Sequence, residues 1–281
     1  MGRLLVGVAL ATALISTSAN AQSWTGFYIG ANAGVGWGNA SSVNQPVDPA
    51  SQSFFLSAFS NFAPGSFDTS LNQNGWVGGV QAGYNWQAGA WVWGVEADIQ
   101  KSAINGSGSQ RAFLDPGVFG SSFGFDVNTD SNLYWFGTVR GRVGFLIAPN
   151  FLFYGTGGLS YGGIGNGGSV VLAPSGQPTS AVFAAGSFVF ACGTTAANPT
   201  SACYAGSGTE VRIGWTAGLG GEWKLDTNWS VKFEYLHVEL QGMSINLVSS
   251  SPPSTAGVST NFVFGDQAYD IVRVGLNYTF N

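Results

Sequence analysis

Several arrangements along the chain use residue types that do chemistry. Gly158-Leu-Ser160-Tyr-Gly162 has the G-x-S-x-G spacing of a serine nucleophile, which needs a sharp strand-to-helix turn and a base beside it. The flanking pattern here is that of a strand, and the one histidine, His237, is the only base on offer. His237 beside Glu239, with a serine such as Ser244 nearby, is what a lipid-facing hydrolase would require. A single His near the outer end of a strand is more simply an interface residue, so no enzyme is expected. Gly163-Ile-Gly-Asn-Gly-Gly168 fits G-x-G-x-x-G. Pro174 and a loop follow it, however, in place of the helix N-terminus that phosphate binding uses. With 43 glycines in the chain, a match by chance is expected.

Cys192 and Cys203 are the only cysteines. In an exported chain such a pair suggests a local disulfide, and two thiols with no nearby His make a poor metal site. Neither a metal nor a cofactor is expected. The charges are more informative. Arg140, Arg142, Arg212, Lys232 and Arg273 alternate with apolar residues, as do Glu96, Asp98, Glu222 and Glu234. Placed on strands, all nine fall on the polar face. Nearly balanced charges facing one another across a narrow interior would form a closed network of ion pairs, because each alone would be very costly to bury.

The elements that must hold these residues follow a period of two. In Ile271-Val-Arg-Val-Gly-Leu-Asn-Tyr-Thr-Phe280, Val272, Val274, Leu276, Tyr278 and Phe280 share one side. Arg273, Gly275, Asn277 and Thr279 share the other, the signature of a strand. The pattern recurs eight times, over Trp24–Gly38, Gly75–Trp86, Trp91–Ala103, Leu133–Ile147, Phe151–Ile164, Val211–Leu225, from Trp229, and at the end. Tight turns are expected at Gln87–Ala90, Ala148–Asn150 and Asp226–Asn228, and long polar loops over 39–74, 104–132, 165–210 and 242–267. In the seventh strand the alternation changes phase at Leu236, where His237 and Glu239 take over the formerly apolar row. A bulge that shifts the register and a strand that has left the lipid both account for this.

Only 8% of the residues are charged, far below a soluble surface, and no run of 18 apolar residues follows Ala21. A membrane chain without such helices satisfies its backbone as a closed barrel. Arg3, the apolar run Leu4 to Ile15 and Ala19-Asn20-Ala21 read as a cleaved secretory signal over 1–21, leaving 22–281 as the barrel. The expected fold is therefore all-β: an eight-stranded antiparallel up-and-down transmembrane barrel with short periplasmic turns and long extracellular loops. Trp86, Trp91, Trp223, Trp229, Tyr278 and Phe280 are expected to form an interfacial girdle at the turn end. The net charge is −5, and −6 once Arg3 is lost (8 basic against 14 acidic residues), which excludes nucleic acid as a partner.

Trp24-Thr-Gly-Phe-Tyr-Ile-Gly-Ala-Asn-Ala-Gly-Val-Gly-Trp-Gly38 resembles the first strand of the small porin-like outer-membrane proteins of alphaproteobacteria. Val272–Phe280 resembles their last strand, Arg140-Gly-Arg-Val-Gly144 their fourth, and Trp229 with Lys232-Phe-Glu-Tyr-Leu236 their seventh. The resemblance implies an OmpA-type eight-stranded barrel in the outer membrane, inserted by the outer-membrane assembly machinery and surrounded by lipid and lipopolysaccharide. It departs at one point: the terminal aromatic of the assembly signal is penultimate, Phe280 before Asn281. The expected role is structural, in envelope integrity and surface-loop interaction, with a lumen plugged by ion pairs. A porin for small hydrophilic solutes is the alternative. A third reading is a receptor or adhesin that holds an extracellular ligand through acidic loops carrying Asp48, Asp68, Asp115 and aromatics such as Phe54 and Phe119.

Overall fold

The computed structural model describes residues 23–46, 68–114, 123–172, 180–185, 188–193, 202–249 and 259–280. The predicted signal at 1–21, Asp48, Phe54, Asp115, Phe119 and Asn281 lie outside them.

Twelve strands are described: β1 Gly26–Pro46, β2 Thr69–Ala88, β3 Trp91–Leu114, β4 Phe123–Ala148, β5 Phe151–Leu172, β6 Ser180–Ala185, β7 Phe188–Gly193, β8 Ala202–Lys224, β9 Trp229–Leu240, β10 Met243–Ser249, β11 Ser259–Phe264 and β12 Gln267–Phe280. Eight of them close a ring in the order β1-β2-β3-β4-β5-β8-β9-β12. The seam joins the last strand to the first, from Phe280 opposite Phe27 to Ala268 opposite Asn39. All pairs are antiparallel, and the expected barrel is present. The turns are set by local chemistry. Gly89 has φ +60°, which a side chain would resist. At the β8–β9 turn, Asp226 Oδ1 accepts the N–H groups of Asn228 and Trp229, each at 2.7 Å.

The strands run well past the expected boundaries. β4 has 26 residues, about 85 Å at ~3.3 Å per residue, whereas crossing a membrane takes about 9–11. Much of the predicted second loop is therefore the upper part of β3 and β4, and much of the third is β5, the β6–β7 hairpin and β8. In the fourth, β10 pairs with β11, β11 with the upper end of β1, and β10 with β8 at Val248–Ala205. The stave begun by β9 thus resumes as β10 after Gln241-Gly242, and β11 leads into β12 through Gly265-Asp266.

The phase change at Leu236 is resolved by burial. Ser230, Lys232, Glu234, Leu236, Val238 and Leu240 are all buried and all on one face of β9. No register shift occurs along this strand: its inner row turns from polar to apolar, and its outer row from apolar to polar. Other staves do the same. β3 passes inside from Glu96, Asp98 and Gln100 to Ile104, while outside Trp93, Val95 and Ile99 give way to Lys101, Asn105 and Ser107. Lipid faces the lower wall, so apolar residues point out there. Water faces the upper wall, so apolar residues point in.

Candidate functional site

Three layers fill the interior. At the turn end, Trp24 departs from its expected place in the first strand. It precedes β1, is buried, and packs with Val92, Leu152 and Tyr154. Its indole N–H donates to the Pro149 carbonyl at 3.2 Å and its backbone N–H to Gln87 Oε1 at 2.8 Å. Lys224 Nζ lies 5.1 Å from the Trp24 ring centroid and donates to the Ser23 carbonyl at 2.6 Å.

Above this layer sit the charges. Cross-strand register puts Arg140 opposite Glu96, Lys232 opposite Glu222, and Arg273 opposite Glu234. The side chains then link beyond their own pairs. Arg140 donates to Glu96, to Asp98 at 2.9 Å and to Glu234 at 3.2 Å. Lys232 Nζ reaches both Glu96 oxygens at 2.8 Å. Arg273 holds Asp98 at 2.8 Å and Glu234 at 2.7 Å. Arg142 donates to Glu222 at 2.6 Å, with its guanidinium 4.0 Å from the centroid of the Tyr154 ring. Neutral donors complete the set: Tyr28 to Glu96 (2.7 Å), Tyr154 to Glu234 (2.9 Å), and Ser230 and Asn277 to Glu222 (2.6 and 2.9 Å). The glycines give these phenols room, since a Cβ on Gly83 or Gly220 would meet the Tyr28 or Tyr154 hydroxyl.

The structure thus brings together eight of the nine predicted charges, four acids with four bases. The ninth, Arg212, is a correction. It pairs with Glu210 at 2.6 Å and its side chain is 27% exposed. The β8–β9 ladder ends at Gly214–Leu240 and β10 pairs with β8 only from Ala205–Val248, so Arg212 sits beside the gap between the two pairings. Alternation along the first and fifth strands also puts Tyr28 and Tyr154 inward, as found; sequence reasoning missed Lys224, although it shares the parity of Glu222.

The third layer is apolar. Leu71, Ile104, Leu133, Phe136, Ile164, Leu236, Val238, Leu240, Leu247, Phe262, Phe264 and Ile271 form one buried cluster inside the upper wall. Outside, Trp86, Trp91, Trp223, Trp229 and Phe280 are 41–53% exposed, and Tyr278 is half-buried beside them. Their rings meet around the turn end: Trp91–Phe145 at 5.3 Å, Phe151–Trp223 at 6.2 Å, Trp229–Tyr278 and Tyr278–Phe280 at 5.1 Å.

The candidate hydrolytic residues are not assembled. Ser160 points inward and donates to the carbonyls of Trp215 (3.2 Å) and Glu239 (3.0 Å). His237 is on the outer face, where its Nδ1 lies 2.9 Å from Asp270, which Tyr235 also engages at 2.6 Å. Ser244 sits on β10 opposite Val263. The Gly163–Gly168 segment is strand, paired with both β4 and β8. The backbones of Cys192 and Cys203 lie in β7 and β8, and their side chains are outside the described residues.

Comparison with known proteins agrees with this architecture. The chain is 33% identical over 266 residues to the 31 kDa outer-membrane immunogenic protein of Brucella melitensis, covering 92% of this chain and 84% of that protein. It is 35% identical over 121 residues to the 22 kDa outer membrane protein of Rhizobium leguminosarum, covering 42% and 48%. The solved structure of the outer membrane protein OprG from Pseudomonas aeruginosa is 11% identical with a TM-score of 0.42, over 91% of this chain and 97% of that one, a likeness too slight to add to the ring described above. The family model for the outer membrane protein beta-barrel domain matches residues 6–280. With eight strands closed in a ring, a charged interior and relatives of the Gram-negative surface, the chain belongs to the outer membrane protein beta-barrel domain family and resides in the outer membrane.

Proposed function

We propose that this protein is a non-conducting scaffold of the outer membrane, serving envelope integrity and holding a rigid polar wall above the bilayer. The observation that carries the reading is the self-neutralised layer of four acids and four bases closed between two apolar layers. An eight-stranded interior is just wide enough for side chains to fill, and a solute would have to displace paired charges whose separation is costly. A non-enzymatic role is supported by His237 being engaged by Asp270 while Ser160 is turned to the other face of the wall. Surface interaction through the loops is part of the proposal, as is assembly by the outer-membrane machinery.

The test is solute flux. Liposomes carrying the folded protein should swell in small sugars no faster than protein-free liposomes. Swelling that falls off smoothly with solute size would overturn the reading in favour of a porin. For the envelope role, a strain lacking the protein should leak periplasmic enzyme and become detergent-sensitive; an unchanged envelope would contradict that part.

A further inference from the structure

The outer wall has a groove of about 520 Å³ where β5, β8 and the end of β9 meet. One half is apolar: Leu159 and Ile213, 69% and 63% exposed, are among the most exposed large hydrophobic residues described, and Trp215 adjoins them. The other half is polar, formed by Glu239, Gln241 and Asp266. The floor is thin because Gly214 carries no side chain, and Ser160 straps it from within by reaching the Trp215 and Glu239 carbonyls. The groove straddles the level at which the outer row changes from apolar to polar, with Trp215 and Glu239 opposite each other across β8 and β9.

Among the described residues, no base forms an ion pair with either of the two carboxylates. On the same strands, Arg212 is committed to Glu210 and His237 to Asp270. Asp266 accepts the backbone N–H of Gly242 at 2.9 Å. An anionic headgroup would be repelled here. A cation on a hydrocarbon tail meets both halves at once, and a primary ammonium can in addition donate N–H bonds to carboxylates.

We infer that this groove is a binding site for one amine-headed lipid of the outer leaflet, its acyl chain along Leu159, Ile213 and Trp215 and its ammonium between Glu239 and Asp266. The inference does not depend on whether the lumen conducts.

Native mass spectrometry of the delipidated, folded full-length barrel tests it, using phosphatidylethanolamine, phosphatidylcholine and phosphatidylglycerol with identical chains. The first two share net charge and differ in N–H donors. One phosphatidylethanolamine should bind about fivefold tighter than phosphatidylcholine, a modest gain for charge-assisted hydrogen bonds, and phosphatidylglycerol should bind weakest. In E239Q/D266N that order should collapse, whereas D130N, an exposed acid elsewhere on the wall, should keep it. If the double variant fails to fold, the wild-type comparison stands alone. Equal binding of the three lipids, an order unchanged in the folded double variant, or displacement of phosphatidylethanolamine by lipid A with Mg²⁺ would each overturn the assignment.

Discussion

Lys232 shows what a single residue does inside this wall. Its ammonium is buried and shared between the oxygens of Glu96, so its removal leaves the interior one positive charge short, with Glu96 hydrogen-bonded by Arg140 and Tyr28 alone among the described residues. Lys232→Met is expected to destabilise the folded barrel by about 3–5 kcal/mol, the usual consequence of breaking a buried pair from one side. Urea unfolding in lipid vesicles measures this. Adding Glu96→Gln should recover part of the loss, since the stranded charge goes with it; a double variant as unstable as the sum of the singles would contradict the coupling. At this scale the sequence was informative where parity alone decides. Glu96, Arg140, Glu234 and Arg273 could be assigned inward because a strand alternates. Arg212 could not be excluded, since its exposure results from a ladder ending two residues away on the neighbouring strand. Trp24 was misplaced because the chain ahead of β1 turns under the barrel, which no period announces.

Two elements carry further predictions. The β8–β9 turn is held by Asp226, whose carboxyl lies below the usual range because the backbone N–H groups of Trp229 and Asn228 stabilise its ionised form. A lowered folded-state pKa gives stability that is present above the unfolded value and is lost as pH falls through the folded one. Asp226→Ala should therefore unfold at lower urea than wild type near neutral pH, and the gap should close on acidification. A gap independent of pH would assign the turn's stability to something other than this carboxylate. The upper plug is the second element. Phe262 is fully buried there, so Phe262→Ala should cost about 3–5 kcal/mol and expose the upper wall to protease while the lower barrel still migrates as folded on unheated gels. Loss of both halves together would mean that the layers are not separable. These upper strands were read as loops for a physical reason: once the outer row becomes Ser, Asn and Gly and the inner row carries the few apolar residues, alternation persists but its sign is reversed. A reading that looks for apolar-out segments loses it.

For the whole molecule, the barrel is two environments stacked on one hydrogen-bonded cylinder. Below, the wall is apolar outside and charged within; above, it is polar outside and apolar within. The ring of strands, the turn end and the aromatic belt were legible because they sit in the lower half, where the membrane imposes a strong alternation. The closure at both ends by apolar layers was not, because it follows from burial across strands distant in sequence. Both layers bear on the central claim that nothing passes through. Planar-bilayer recording of the purified, folded protein tests this most directly. Wild type is predicted to add no steady unitary current above the bare membrane, and replacing Glu96, Asp98 and Arg140 together by alanine should raise the conductance. Reproducible, long-lived channels of uniform size from wild type would contradict the account.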